Sequence, residues 1–372
     1  MTASPDDRAG AILEVDLAGI AANWRLLARR VDPAGCAAVV KADAYGLGAP
    51  LVAPALAVAG CRRFFVATID EGIALRKVLP ESAEIAVFNG LLPGCAGDFI
   101  EFDLAPVLND PGQIADWRSA ASRHGKGPAI LHVDTGMGRL GLTVREFDRL
   151  AEELCRPDPI QWRALISHLA CSDEPRHPLN GIQLERFAAA RRHLIQLPAS
   201  LVASSGIFLG PEFHFDFARP GAALYGVNPQ PGCPNPMRQI VGLKGRILQI
   251  REVDRDQTVG YGASHVMAAP GRLATVAVGY ADGWLRSVSQ RGSGRVGGKQ
   301  VPLLGRVSMD LVVFDVSDVD PALVRPSGFI ELLHEDYGVD AAAADAGTIG
   351  YEILTALGRR YHRVYRGATR QC

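Results

Sequence analysis

The chain has 372 residues, with 39 basic and 40 acidic side chains and a formal net charge of −1. With no basic stripe and no acidic tail, it offers no surface for nucleic acid and none for a strongly basic partner. Charged residues at 21% and hydrophobic ones at 48% exclude wholesale disorder, and the length predicts two domains or a large barrel with a smaller unit.

The opening MTASPDDRAG reads as a flexible polar terminus, without the basic-then-apolar order of a signal peptide. The longest nearly apolar run, 50–61, is too short to cross a bilayer, so a cytoplasmic protein with no membrane contact is expected. Seven cysteines, an odd number without any CxxC, argue against a disulfide framework and a zinc ribbon.

From residue 11 to 227, β-rich runs alternate with helical patterns. ILEVDL (12–17) precedes a segment with Ile20, Trp24, Leu27 and Val31 at helical spacing. CAAVVKA (36–42) passes through a glycine-bearing loop into an apolar helix from Pro50. RRFFVAT is followed by IDEGIALRKVL and then AEIAVFNG. GPAILHVDT (127–135) is followed by REFDRLAEEL, and IQWRALISHLA by GIQLERFAAARRHLIQL. This is the order of parallel βαβ units. An open doubly wound sheet would share it, but about eight strands favour a (β/α)8 TIM-like barrel.

NPQPGCPNP, with four prolines, marks a hinge at 228–238. From 239 to 372, LKGRILQIREV, RLATVAVGY, GRVGGKQVPLLGRVSMDLVVFDVS and GFIELL alternate apolar and polar residues between glycine turns. They predict a smaller, mainly antiparallel β domain. One helix, TIGYEILTALGRR, closes the chain, with Thr348 as its N-cap.

Several segments carry chemistry. GMGRLG (136–141) fits GxGxxG, but Asp158 lies before the next strand rather than at its end, so a dinucleotide site is rejected. The loop instead presents Arg139 at the carboxyl end of a strand, where barrels place their active sites. Lys41 leaves the apolar run CAAVV, where desolvation would lower its pKa and make its amine a nucleophile toward aldehydes. Taken alone, a lysine there more often snorkels from the strand end. Tyr45 follows four residues on. ASSGIF (203–208) and FARPGAALYG (217–226) join small residues to hydroxyls and amides that suit a phosphate. There Arg219 precedes a rigid Pro-Gly turn, and His168 ends another strand. In the β domain, VGYGASH presents Tyr261, AVGYADG Tyr280, and GRVSMD Met309 and Asp310. Walker A, HExxH and GxSxG patterns are absent.

Together these segments resemble alanine racemase, the fold-type III family dependent on pyridoxal 5'-phosphate. VVKADAYGLGA, DTGMGRLG, SHLACSDEP, SSGIF, RPGAALYG, VGYGA, VGYADG, GRVSMDL and TIGYE occur in the family's order. The resemblance implies that Lys41 holds the cofactor covalently. It implies that Tyr45, Ser204, Gly221, Ala222 and Tyr351 bind its phosphate, that His168 flanks the ring, and that Arg219 meets the ring nitrogen. Arg139 would lie near the phenolic oxygen and the substrate carboxylate. Tyr261, Tyr280, Met309 and Asp310 would reach the site from the second subunit of a homodimer. Lys41 and Tyr261 would be the two bases that interconvert L- and D-alanine, the latter a peptidoglycan precursor. No metal is implied.

Two positions depart from the family. His132 stands where many members have a lysine, often carbamylated, that braces the arginine of GMGR. Ala203 stands where asparagine is common. A racemase of broader range, acting on serine, and a non-catalytic carrier of the cofactor are the alternatives. The β domain with Tyr261 argues against the carrier.

Overall fold

The computed structural model describes residue 4 and residues 8–125, 127–154 and 156–367. Most of the terminal stretch read as flexible lies outside them, as do Cys155 and Cys372. The chain divides into two compact units.

The first unit holds residues 20–224 and 228–238. Seven parallel strands lie in one sheet: Ala38–Val39, Arg63–Val66, Glu84–Val87, Ala105–Leu108, Gly127–His132, Ile160–Ile166 and Ala199–Ser200. Strand Phe217–Ala218 closes the ring. On one side it pairs in parallel with Gly35–Cys36, and the Ala37 and Val39 amides donate to Ala218 and Pro220 carbonyls at 2.9 Å. On the other side the Asp216 and Arg219 amides donate to the Ala199 and Val202 carbonyls, also at 2.9 Å. Near-continuous burial, as in Phe64, Phe65 and Val66, is what a sheet covered on both faces requires.

Helices return between the strands with local start signals. Helix Ile69–Arg76 opens with a reciprocal capping box between Thr68 and Glu71. Helix Pro111–His124 is capped by Asp110, whose side chain accepts the Gln113 amide at 2.9 Å, and it stops at left-handed Gly125. That helix and strand Ala105–Leu108 were not anticipated, although DPGQ is a helix-start pattern. Over 228–238 there is neither helix nor strand, and the segment groups with the barrel unit.

The second unit holds residues 239–372, with 1–19 and 225–227. Six strands close antiparallel on themselves in the order Gly271–Val276, Val312–Asp315, Lys299–Leu304, Ser293–Val296, Phe329–Leu333 and Val241–Val253. The ring closes because the first half of Val241–Val253 pairs with Phe329–Leu333 and the second half with Gly271–Val276. Gly297 and Gly298, at φ 56° and 78°, make the two-residue turn that joins Ser293–Val296 to Lys299–Leu304.

ILEVDL, read as the first barrel strand, belongs to this unit. Strand Ala11–Asp16 pairs antiparallel with Val241–Val253 and parallel with His362–Arg366. Both of its edges are hydrogen-bonded within this unit, Leu13 and Val15 are buried in it, and the half-buried Glu14 pairs with Lys244 at 2.8 Å. The first strand of the barrel unit is therefore Gly35–Cys36, not ILEVDL. The closing helix is also shorter than expected, Gly350–Ala356, and Ile349 rather than Thr348 precedes it. Thr348 instead hydrogen-bonds the Glu352 carboxylate. A further helix, Val339–Ala346, comes from an alanine run that the pattern reading passed over.

Leu13 is fully buried in the β unit. Leu13→Ala should cost about 2–5 kcal/mol in urea unfolding, as buried leucine truncations do. A loss near zero would contradict this pairing.

Candidate active site

The barrel unit gathers polar side chains at the carboxyl ends of its strands. Lys41 follows Ala38–Val39, and the next four residues, Ala42, Asp43, Ala44 and Tyr45, all have φ between 52° and 55°. A left-handed turn of L-residues costs about 1–2 kcal/mol per residue. Local bonds offset that cost. Gly46 N donates to the Ala42 carbonyl at 2.7 Å and Gly48 N to that of Asp43 at 2.8 Å. The Ala42 amide donates to Glu71 Oε1 at 2.6 Å, and Glu71 Oε2 accepts the Ala67 amide from the neighbouring loop at 2.8 Å. The turn thus fixes the directions of Lys41 and Tyr45 together.

Lys41 Nζ lies 5.9 Å from the centre of the Phe88 ring. Burial, and after it the positive charge of Arg139, lower its pKa, while Glu71 works against the shift. The Tyr45 hydroxyl lies so close to Gly221 that a Cβ there would collide with it. Ser204 Oγ accepts the Gly221 and Ala223 amides at 3.0 and 3.2 Å. The Tyr45 and Ser204 side chains and the turn Gly221–Ala223 therefore meet at one place, with the Gly221 and Ala223 amides held by Ser204.

Arg219 is 2% exposed. Its Nη1 donates to the Ser200 carbonyl and hydroxyl and its Nη2 to the Ser167 carbonyl, at 2.7, 2.5 and 2.5 Å. Those bonds set the plane of the guanidinium and leave its Nε edge for a ligand. Burial pushes its pKa down to about 9, which still leaves it charged at neutral pH. His168 is held neutral, its pKa pushed down to about 3 by burial and then by Arg219. His132 is pushed down to about 4 by burial, with Arg219 next.

Asn109 fixes the tautomer of His132. Its Nδ2 donates to the Phe88 and Val107 carbonyls at 3.0 and 2.8 Å, so its Oδ1 must accept from His132 Nδ1, 2.7 Å away. That leaves His132 Nε2 as an unprotonated acceptor. Arg139 is exposed, and among the described residues it pairs with no carboxylate.

The glycine loop is accounted for differently from a nucleotide loop. Asp134 accepts the amides of Gly136, Met137 and Gly138 at 2.8–2.9 Å. The donors that would cradle a pyrophosphate are consumed within the loop. A larger cavity, about 710 Å³, lies at the amino ends of the strands. Its charges pair with each other, Arg63 with Glu84 and Arg191 with Asp216, and it holds none of the groups above.

The β unit carries the other predicted residues. Tyr261 is 68% exposed and lines a concavity of about 510 Å³ with Tyr280, Arg286 and Ser308. The Arg306 guanidinium lies against Gly262, 3.1 Å from where a Cβ would stand. Met309, Asp310 and Tyr351 are exposed on the same unit.

Comparisons with known proteins decide the family. Residues 15–229 match the sequence model of the alanine racemase N-terminal domain, and residues 240–365 that of the C-terminal domain. The chain belongs to the alanine racemase family. An alanine racemase of Rhodospirillum rubrum is 54% identical over 367 residues, 97% of each chain. A catabolic alanine racemase of Mesorhizobium japonicum is 48% identical, covering 96% of this chain and 94% of its own. The crystal structure of the Bartonella henselae alanine racemase, with covalently bound pyridoxal phosphate, superposes with a TM-score of 0.92. It is 40% identical and covers 96% of this chain and 99% of its own. The expectation of a barrel with a separate antiparallel β domain agrees with that fold.

Sequence reasoning missed Glu71, Asn109, Ser167, Ser200 and Gln183. Glu71 was within reach, because Thr68-x-x-Glu71 spells a capping box. Gln183 lies on helix Pro178–His193 and bonds across to Thr135 and the His168 carbonyl at 3.2 and 2.9 Å, contacts with no local signature.

Among the described residues, the cysteines are free, no cluster could hold a metal ion, and no helix is long and apolar enough to cross a membrane.

Histidine-selective 15N spectra should show His132 and His168 neutral from pH 8 down to about 5, with the proton of His132 on Nδ1. Titration of either ring near the ordinary value of about 6.5 would contradict the assignment.

Proposed function

We propose that the protein is a pyridoxal-phosphate-dependent racemase that interconverts L- and D-alanine. In this reading it works as a cytoplasmic homodimer and supplies D-alanine for peptidoglycan. The observation that carries the reading is the juxtaposition on one barrel mouth: an amine of lowered pKa, the meeting of Tyr45 and Ser204 at the Gly221–Ala223 turn, and a buried, immobilised guanidinium.

The residues fit the cofactor. Tyr45, Ser204 and the backbone of Gly221 and Ala222 would take its phosphate, joined by Tyr351. Lys41 would hold it covalently, Arg219 would donate to the ring nitrogen, and His168 would flank the ring. Bound pyridoxal phosphate supplies the electron sink that makes an amino acid's α-proton removable.

Racemisation then needs an acid–base group on each face. Lys41 Nζ takes the α-proton of D-alanine, helped by the burial that disfavours its charged form. Tyr261 Oη takes that of L-alanine from the opposite face, and each group returns a proton in the reverse direction. Arg286 lines the same concavity as Tyr261, and the Arg306 guanidinium lies against the neighbouring Gly262. Arg139, free of any described carboxylate, is available for the substrate's own. His132 is neutral, so it does not add a positive charge to those of Arg139 and Arg219. Tyr261, Tyr280, Met309 and Asp310 of one protomer would complete the site of its partner, which makes the dimer obligate.

The test is racemisation of L-alanine followed by optical rotation. Tyr261→Phe should keep the visible absorbance of the lysine-bound cofactor and lose about 10²–10⁴-fold in rate, the usual weight of a positioned acid–base group. Full activity in that variant would overturn the base assignment. Lys41→Ala should lose the covalent cofactor altogether.

A further inference from the structure

We infer that Arg360 is a positioning residue for the reaction. It locks the turn that carries Tyr280 to the turn that carries Met309 and Asp310. Arg360 Nε pairs with Asp282 Oδ1 at 3.0 Å and its Nη1 with Asp310 Oδ1 at 2.7 Å, so one guanidinium bridges two carboxylates.

The two partners are differently placed. Asp282 is 4% exposed, and its second oxygen, Oδ2, accepts the Gly279 amide at 2.8 Å. Asp310 is exposed at the rim. Arg360 therefore transmits the position of a buried, hydrogen-bonded anchor to an exposed carboxylate. A planar guanidinium can do this because its donors are fixed relative to each other.

The surrounding backbone leaves little freedom. The Tyr280 and Ala281 amides donate to the Ser308 and Met309 carbonyls at 3.0 and 2.9 Å. A Cβ at Gly279 would collide with the Met309–Asp310 peptide, and one at Gly283 with the Ala356 carbonyl. The Gly358 amide donates to the Asp282 carbonyl at 2.8 Å, which sets the segment leading to Arg360 against the same turn. Three stretches far apart in sequence thus meet at one guanidinium, and two of them carry residues assigned to the substrate side.

The consequence rests on the racemase reading above. Displacing Tyr280 and Asp310 should weaken substrate binding more than proton transfer, because Lys41 and Tyr261 lie outside the bridge. Arg360→Met in the cofactor-loaded enzyme should raise KM for L-alanine about tenfold to hundredfold, the scale of a 1 Å misplacement, with a much smaller change in kcat. Arg360→Lys should restore part of the loss. Asp310→Asn should add little to Arg360→Met, since both break the same bridge. Amide hydrogen exchange should quicken in 279–284 and 306–311 of Arg360→Met and stay unchanged in the barrel.

Unchanged KM and unchanged exchange in those turns would overturn the inference. So would exchange that quickens throughout the β unit, which would make Arg360 a general support. An unmodified protein that fails to racemise alanine would instead overturn the racemase reading, while the exchange experiment would still decide the bridge.

Discussion

The barrel mouth depends on a buried cation that, among the described residues, has no carboxylate paired with it. Arg219 rests on three oxygen atoms from Ser167 and Ser200, and burial lowers its pKa without discharging it. A fixed positive charge in a low-dielectric place biases every neighbour. It helps to hold His132 and His168 neutral, and Arg139 with burial makes Lys41 easier to deprotonate. The site is thereby short of negative charge and ready for a ligand that brings it. A phosphate and a carboxylate, one from the cofactor and one from an amino acid, satisfy that demand.

The backbone supports the same end. Four left-handed residues after Lys41 are tolerated because Glu71 takes up the Ala42 amide and the Ala42 and Asp43 carbonyls accept the amides of Gly46 and Gly48. Strain of this kind persists only where the surroundings over-determine it, and here it fixes the directions of a lysine and a tyrosine at one barrel mouth. In the β unit, glycines at 279 and 283 let backbone segments touch where a side chain would part them. Both units spend local conformational freedom to aim a few polar groups.

Much of this was legible in the sequence. The alternation of strand and helix named a barrel, and the change to two-residue alternation after the proline-rich segment named a β domain. Several candidate side chains, Arg139, Arg219, Tyr261 and Tyr280 among them, stood out in the sequence because they sit beside glycine or proline. The strand Ala11–Asp16 was misplaced, since position in the chain suggested the barrel while its pairing partners lie more than 200 residues away, in the other unit. Helix Val339–Ala346 escaped because an alanine run has little periodicity. Asn109, Gln183 and Arg360 act across long stretches of chain, and nothing local to them announces a partner. The resemblance to a family joined segments that spacing alone could not join.

The most direct measurement is incubation of the purified, cofactor-loaded protein with L-alanine in D2O, followed by chiral separation and mass analysis. The account predicts D-alanine carrying deuterium at the α-carbon, because the group that delivers the proton on the second face exchanges with solvent. L-alanine that gains deuterium without inversion, or alanine that gains none, would contradict a two-base racemase.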